Sequence, residues 1–389
     1  MAWGKGQGAA DLSGERRRQC PDSSAIAKMI NVAAIGCGRV VEEHYLLPLR
    51  KLQRRGALRV AALVDPSEAR RRSVQRHFPR ARDCPRAEEA FAADKIDLSI
   101  IASPAAFHAE HAATAFAHGS HVLCEKPLAA SSREAGAMVS AARDAKGLLA
   151  VGQIRRFWPN IAEARNLVLN GELGDQLQFV YREGGEYRWP VTTEAAFTRA
   201  GGGGGVLIDK GVHLLDSLSW FFGPPQVRRC WDDSFKGGVE TNAILELEFE
   251  RARGLLQVSW EHALNNGLHI RGGKGELWLD QADICFYRRR RSGEPWMEIK
   301  ASATWPAEAT GPAPRRCTPP TGYESFELQL VNVLRAIQYG EPVAVTGQAA
   351  AVVIRALEDA YGKAEPMDFP WLSTSERSAM GARHWRAAR

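Results

Sequence analysis

Long apolar runs are missing from this chain. No stretch of its 389 residues approaches the roughly 18 consecutive apolar positions that a membrane-spanning helix needs, so no membrane partner is expected. Cysteine is sparse as well. The seven residues are an odd set with no Cys-x-x-Cys spacing, which argues against a disulfide frame and a thiolate metal site, so no metal is expected and the chain reads as cytoplasmic. Zinc-finger spacing, basic heptads and repeats at solenoid period are also missing. Arg16-Arg17-Arg18 is a basic start, but no apolar segment follows it as in a secretory signal.

What is present is the composition of a globular protein, with 45% hydrophobic and 25% charged residues. The length suggests about two or three domains. The formal net charge of +6 is carried in separate short runs, Arg16 to Arg18, Arg70 to Arg72 and Arg288 to Arg291. Dispersed runs of that kind describe solvated faces, with some attraction for anionic ligands, and no nucleic-acid partner is expected. Residues 1–29 are rich in Gly, Ser, Arg and Asp and read as a disordered leader. Met29 is a candidate start, because folded patterning begins directly after it.

From Ile30 the chain alternates strands with helices. Strands are expected at 31–35, 59–64, 96–102, 121–124 and 148–153, and helices at 44–52, 68–78, 107–117 and 131–145. This order implies right-handed crossovers and a parallel sheet. The first strand runs into Gly36-Cys37-Gly38, which opens a helix and is answered by Asp65 at the end of the second strand. That context is the one a dinucleotide fingerprint requires. Glycines let backbone N–H groups approach a pyrophosphate, and the helix N-terminus adds partial positive charge. Asp65 would accept bonds from a ribose diol, favouring NAD. Arg70 to Arg72 keep NADP open, and Val41 stands where the fingerprint has its third glycine. A doubly wound domain for another ligand is the competing reading.

At the end of the 121–124 strand stands Cys124-Glu125-Lys126-Pro127. Proline restricts the residue before it to extended geometry, so Lys126 is expected on a stiff strand exit, where open α/β sheets bind their ligands. Beyond Gln153 the pattern turns to strands with one polar face, at 176–182, 242–250, 254–260 and 276–279, and later to helices at 324–339 and 348–361. Within this half, Gly201 to Gly205 precede Asp209 and His213, four residues apart. On a helix these two share a face, and a carboxylate beside an imidazole suits proton transfer, with Gly211 leaving room for a ligand. A dipole-favoured Asp, a core histidine and a merely flexible glycine run explain the same residues.

Together, Gly36-x-Gly38, the Glu-Lys-Pro tripeptide and Gly-Gly followed by Asp209-x-x-x-His213 resemble the three signatures of the Gfo/Idh/MocA oxidoreductase family. Phe326 to Leu330 and Gly340-Glu341-Pro342-Val343 extend the likeness, which covers about Ile30 to Trp371. The resemblance implies a Rossmann domain at 30–152, a substrate-binding and oligomerisation α+β domain with a large open, mostly antiparallel sheet at 153–371, and a tail at 372–389. It implies NAD, with NADP possible, and a sugar, cyclitol or sugar nucleotide oxidised at a secondary alcohol or reduced at the matching ketone. A homodimer or homotetramer through the open sheet is implied as well. By the same likeness Lys126, Asp209 and His213 are catalytic, and the Lys126-Pro127 bond is a candidate cis peptide. Cofactor contacts fall to Gly36, Gly38, Arg39, Val40, Asp65, Ser103, Pro104, His108, Glu125 and Lys126. Arg155, Arg156, Tyr187 and Trp189, with Asp209 and His213, are candidates for the substrate. For the arginines a solvated surface role is the competing reading, and for the aromatics core packing. Lys210 replaces a residue that is small or apolar in the family's motif. An NAD-dependent glycoside hydrolase using transient oxidation and a non-catalytic dinucleotide sensor are the alternatives.

Overall fold

The computed structural model describes residues 29–92, 95–188, 198, 203–234, 238–280, 284–289, 297–300, 322–367 and 373–375. In the first half, six strands, β1 (Ile30–Ile35), β2 (Leu58–Val64), β3 (Arg82–Cys84), β4 (Leu98–Ile101), β5 (His121–Cys124) and β6 (Leu149–Val151), form one parallel sheet in the order β3-β2-β1-β4-β5-β6. A π turn, Val41–Tyr45, leads into α1 (Leu46–Arg54), and α2 (Glu68–Gln75), α3 (Ala87–Phe91), α4 (His108–Ala117) and α5 (Ser132–Asp144) follow. The central strands are apolar on both sides because helices cover both faces, so β1 is buried at all but one position. Side-chain caps set the starts of two helices: Ser67 accepts from Arg70 N and Ser131 from Glu134 N.

The second half begins with α6 (Pro159–Leu169) and β7 (Leu177–Gly184), then a second π turn, Leu207–Gly211, that runs into α7 (Val212–Phe222). Strands β8 (Gln226–Asp232), β9 (Asn242–Glu248), β10 (Ala252–Ser259), β11 (Gly267–Arg271), β12 (Gly275–Leu279), β13 (Ile284–Arg289) and β14 (Met297–Lys300) come next. The chain continues through α8 (Gly322–Tyr339), α9 (Gly347–Gly362) and β15 (Ala364–Pro366). Among the described residues the second sheet runs β14-β13-β12-β11-β7-β10-β9-β8-β15, antiparallel except for the β7–β10 and β8–β15 pairs. Along β9, Ala243, Leu245 and Leu247 are buried while Glu246 and Glu248 lie on the other, open face, as the alternation requires. Among the described residues no helix is long and apolar enough to cross a membrane.

The sequence reading has no element at β3, α3, β8, β11, β13, β14 or β15, and two further departures bear on the site. Helix α6, with Pro159 at its first turn, lies between Gln153 and the strand expected at 176–182, where the sequence pattern predicts no element. Helix α8 belongs to the second half of the chain, yet Phe326, Leu330, Val333 and Leu334 share a core with Val41, Tyr45, Leu49 and Leu52 of the first half.

The described end of the glycine run has a packing reason. A Cβ on Gly205 would lie 2.0 Å from the Glu240 carbonyl oxygen, and one on Gly204 would lie 2.1 Å from the Tyr361 hydroxyl. Buried Glu240 accepts from Gly205 N, Leu207 N and Tyr361 Oη on one carboxylate oxygen, so it caps the start of the segment that carries Asp209. Overpacking a site of this kind costs about 1–3 kcal/mol. Gly205→Ala is therefore expected to lower the unfolding free energy measured in urea by an amount in that range, whereas Gly223→Ala, with nothing within 4 Å but a positive φ, should act only through backbone strain.

Candidate active site

The strand exits of the first sheet make the floor of the site. Gly36 has φ +97°, and a Cβ there would lie 2.6 Å from the Ala102 and Ser103 backbone, so both the turn and the close approach demand glycine. Cys37 N donates to Asp65 Oδ2 at 3.0 Å and Ser67 N to Oδ1 at 2.8 Å. Each carboxylate oxygen keeps a second lone pair, so Asp65 can hold the turn and still accept from a ligand. A Cβ on Gly38 would meet nothing within 4 Å. Open space thus lies above a helix start whose first backbone bonds run from Val41 N and Glu42 N to Gly38 O, which fits a dinucleotide pyrophosphate. Val41 itself is buried in the first core. Cys37 Sγ is inert, its pKa pushed up to about 12 by burial and by Asp65.

The arginines near this cradle are engaged. Arg39 pairs with Glu43, Arg72 with Glu68, and buried Arg71 binds Asp83 and the Asp65 carbonyl. Ser103 Oγ lies 2.9 Å from His111 Nδ1, and Pro104 opens a short 3-10 turn, Ala105–Phe107. His108 is buried behind the cleft. Its Nε2 lies 2.8 Å from Ser103 O and its Nδ1 3.0 Å from Pro127 O, so it ties the exits of β4 and β5 together. Glu125 is buried too: it accepts from Tyr45 Oη at 2.7 Å and Lys126 N at 3.1 Å, while Gln329 Nε2 donates to Tyr45 Oη at 2.8 Å. Burial raises its pKa. The structure therefore sets His108 and Glu125 beneath Lys126 as supports.

The reactive groups converge from both halves of the chain. The Lys126-Pro127 peptide is cis, as the resemblance implied. Lys126 Nζ donates to Asp209 O at 3.0 Å and to Asp209 Oδ1 at 3.2 Å. Trp260 Nε1 donates to Asp209 Oδ2 at 3.0 Å. His213 Nδ1 lies 3.1 Å from Gln153 Oε1. The expected Asp209–His213 contact is thus replaced: the carboxylate serves Lys126 and Trp260, and the imidazole has an amide partner. Gly211 is also corrected. It is buried, and a Cβ there would press on Leu207, so its smallness serves packing. Lys126 and Asp209 keep 22% and 41% of their side-chain surface open, which leaves the pair reachable from solvent.

Electrostatics divide these groups. Burial alone would raise the Asp209 pKa, but the Lys126 ammonium and the Trp260 N–H hold it below the usual range. Burial, reinforced by Lys126 and Arg155, pushes His213 well below the ordinary histidine value, so the imidazole is neutral near pH 7.

The remaining substrate candidates take varied places. Arg155 forms a buried ion pair with Glu183 at 2.7 Å, and Arg156 binds Asp216 through two nitrogens at 2.8 and 2.7 Å and Ala344 O through the third. Neither is a solvated surface arginine. Tyr187 packs edge-on against Trp260, the donor to Asp209, with ring centroids 4.8 Å apart, and Trp189 lies outside the described residues. Lys210 gains an account: its Nζ donates to Gly185 O and Ser259 O, pinning the chain after β7 to the end of β10. Gln153 and Trp260 were missed from sequence. Gln153 had a signal, since it lies as far beyond Val151 as Lys126 lies beyond Cys124, and those two strand residues are paired.

A dinucleotide cradle in one half and proton-transfer groups supplied by the other make a two-domain nucleotide-dependent oxidoreductase. Residues 30–153 match the oxidoreductase family model with an NAD-binding Rossmann fold, and residues 161–278 match the C-terminal domain of the same family. The chain belongs to the Gfo/Idh/MocA family. It is 29% identical over 262 residues to D-glucoside 3-dehydrogenase of Escherichia coli, covering 66% of this chain and 71% of that one. It is 30% identical over 199 residues to inositol 2-dehydrogenase of Corynebacterium glutamicum, covering 51% of this chain and only 56% of that one. Among solved structures, levoglucosan dehydrogenase in complex with NADH and levoglucosan superposes with TM-score 0.73 at 20% identity over 86% of this chain and 98% of that one. A 3-ketoreductase from Actinomadura kijaniata with NADP superposes with TM-score 0.72 at 19% identity over 88% and 100%. These structural likenesses speak to fold.

Trp260→Phe keeps the aromatic packing and removes one donor to an ionised carboxylate, an interaction worth about 1.5–3 kcal/mol. Turnover per KM is expected to fall at least about tenfold with dinucleotide affinity unchanged, as measured by steady-state kinetics beside a fluorescence titration of the cofactor.

Proposed function

We propose that this protein is an NAD(P)-dependent dehydrogenase that exchanges a hydride with a secondary alcohol or matching ketone of a sugar, cyclitol or sugar nucleotide. The observation that carries this reading is that Lys126 and Gln153, at neighbouring strand exits of the sheet whose first strand runs into the Gly36–Gly38 cradle, bind Asp209 and His213 of one segment. The names of the relatives, which act on glucosides, inositol and levoglucosan, support the substrate class. NAD is the preferred cofactor, because Asp65 faces the cradle while Arg71 and Arg72 are bound to carboxylates. Gly36, Gly38, Arg39, Val40 and Asp65 would hold it.

When bound, the nicotinamide supplies the hydride acceptor or donor. In oxidation the neutral His213 takes the proton of the reacting hydroxyl. The Lys126 ammonium favours the negative charge developing on that oxygen, and Asp209 holds the ammonium in place. The open part of the Asp209 carboxylate accepts from a neighbouring hydroxyl, which suits a polyol. Burial, with Lys126 and Arg155 nearby, keeps the imidazole deprotonated between turnovers. The polar outer face of the second sheet, with Arg228, Glu246, Glu248, Arg253 and Arg271, is the proposed surface for a homodimer or homotetramer. We place the protein in the cytoplasm, in keeping with the thiols of Cys37, Cys84 and Cys124, which among the described residues form no disulfide.

Screening glucosides, levoglucosan and inositols for reduced-nicotinamide absorbance tests the reading, and no dinucleotide binding at all would overturn it. Lys126→Ala and His213→Ala are each expected to abolish turnover with little change in cofactor affinity. A base must be unprotonated to act, so oxidation is lost as pH falls through the His213 pKa. Because that value is lowered from 6.5, the acid limb of kcat/KM is expected below it.

A further inference from the structure

Gln153 stands at a place that the proposed chemistry leaves unused. It is 2% exposed and follows β6 directly. Gly152 N donates to Cys124 O at 2.7 Å, Gln153 N to Val151 O at 2.8 Å, and Arg156 N to Gln153 O at 3.3 Å. A Cβ on Gly152 would run into the Glu125 carboxylate. The backbone of Gln153 is therefore locked to the strand that ends in Lys126, and its amide oxygen meets His213 Nδ1 at 3.1 Å.

We infer that Gln153 is the positioning residue that fixes the proton of His213 on Nδ1 and so leaves Nε2 as the base. This rests on the proposed role of His213 as proton acceptor. A neutral imidazole has one N–H, and the hydrogen bond made by one nitrogen decides the state of the other. A carbonyl oxygen only accepts, so facing Nδ1 it selects the Nδ1–H form. The same bond survives when Nε2 takes up a proton, because Nδ1 is a donor in both states.

An amide also differs from the carboxylate that commonly holds a catalytic histidine. It orients without adding charge, so it leaves the basicity of the ring to its surroundings. Those surroundings are Lys126 from the β5 exit, Arg155 with its partner Glu183 from the β6 turn and β7, and on the same segment Asp209, Lys210 and Asp216. Asp209 is bound to Lys126, Lys210 to two carbonyls, and Asp216 to Arg156. Burial is the main reason that the pKa of His213 is depressed, and the nearby Lys126 and Arg155 cations reinforce it.

The test is long-range proton–nitrogen NMR on the full chain labelled with ring-15N histidine, with His213→Asn used to assign the signal. In the native protein at pH 7 the expected result is a neutral ring with the proton on Nδ1, and a native His213 protonated on Nε2 would overturn the proposal outright. Gln153→Met, which keeps the length and loses the acceptor, is expected to shift the ring toward the Nε2–H form. An unchanged tautomer in that variant would also overturn it. Gln153→Glu should restore the Nδ1–H form and raise the titration of His213 by about one unit or more. The native spectrum decides the matter even where a variant does not fold. A native Nδ1–H ring in a protein that oxidises no polyol would keep this assignment and sink the dehydrogenase reading instead.

Discussion

The Lys126–Asp209 bond joins a strand exit of the first sheet to the first turns of the segment that enters α7, and the site exists only because those two places meet. Parallel pairing makes the meeting reproducible. Cys124 faces Val151 across β5 and β6, so Lys126 and Gln153, each two residues on, leave the sheet side by side. One reaches Asp209 and the other His213, residues four apart on a single segment. Two neighbouring strand ends thus read two successive turns, and the spacing of the strands fixes the spacing of ammonium and imidazole. Supports lie beneath this pair of exits: His108 ties the backbone after Ser103 to that after Lys126, and Glu125 anchors to Tyr45.

Around that joint the charges are unequal, and the inequality has a chemical sense. Arg155 and Arg156 are neutralised by Glu183 and Asp216, Lys210 is bound by carbonyls, and the acid exposed to the cleft is Asp209. A neutral imidazole beside an ammonium is a stable arrangement before reaction. When the imidazole gains a proton, the developing alkoxide next to Lys126 compensates for the new charge. The low basicity of His213 therefore suits a proton that must also be returned in the reverse direction.

Much of this was legible in the sequence where local pattern carries the information. The apolar strands β1, β2, β4 and β5, the Gly36–Gly38 turn and the alternation of β9 are stated by a few adjacent residues. What stayed hidden depends on partners far along the chain. Arg155 and Arg156 look like a free basic pair until folding supplies Glu183 and Asp216. Trp260 is one more strand aromatic until β10 carries it to Asp209. Asp209 and His213 lie on one segment, as their spacing implies, but the expected contact between them gives way to Lys126 and Gln153, which pattern alone does not weigh. The short strands β3, β14 and β15 hold too few residues to show a period.

The return of α8 to the first layer bears on how the protein is made. Residues near the front of the chain, among them Tyr45, Leu49 and Leu52, complete their core with Phe326, Leu330, Val333 and Leu334. During synthesis the first sheet emerges long before those partners, so its α1 side waits through the translation of β7 to β14. The nucleotide half is thereby the first to be started and among the last to be finished, and a ribosome that stalls before α8 releases a chain whose cofactor domain is still open to water.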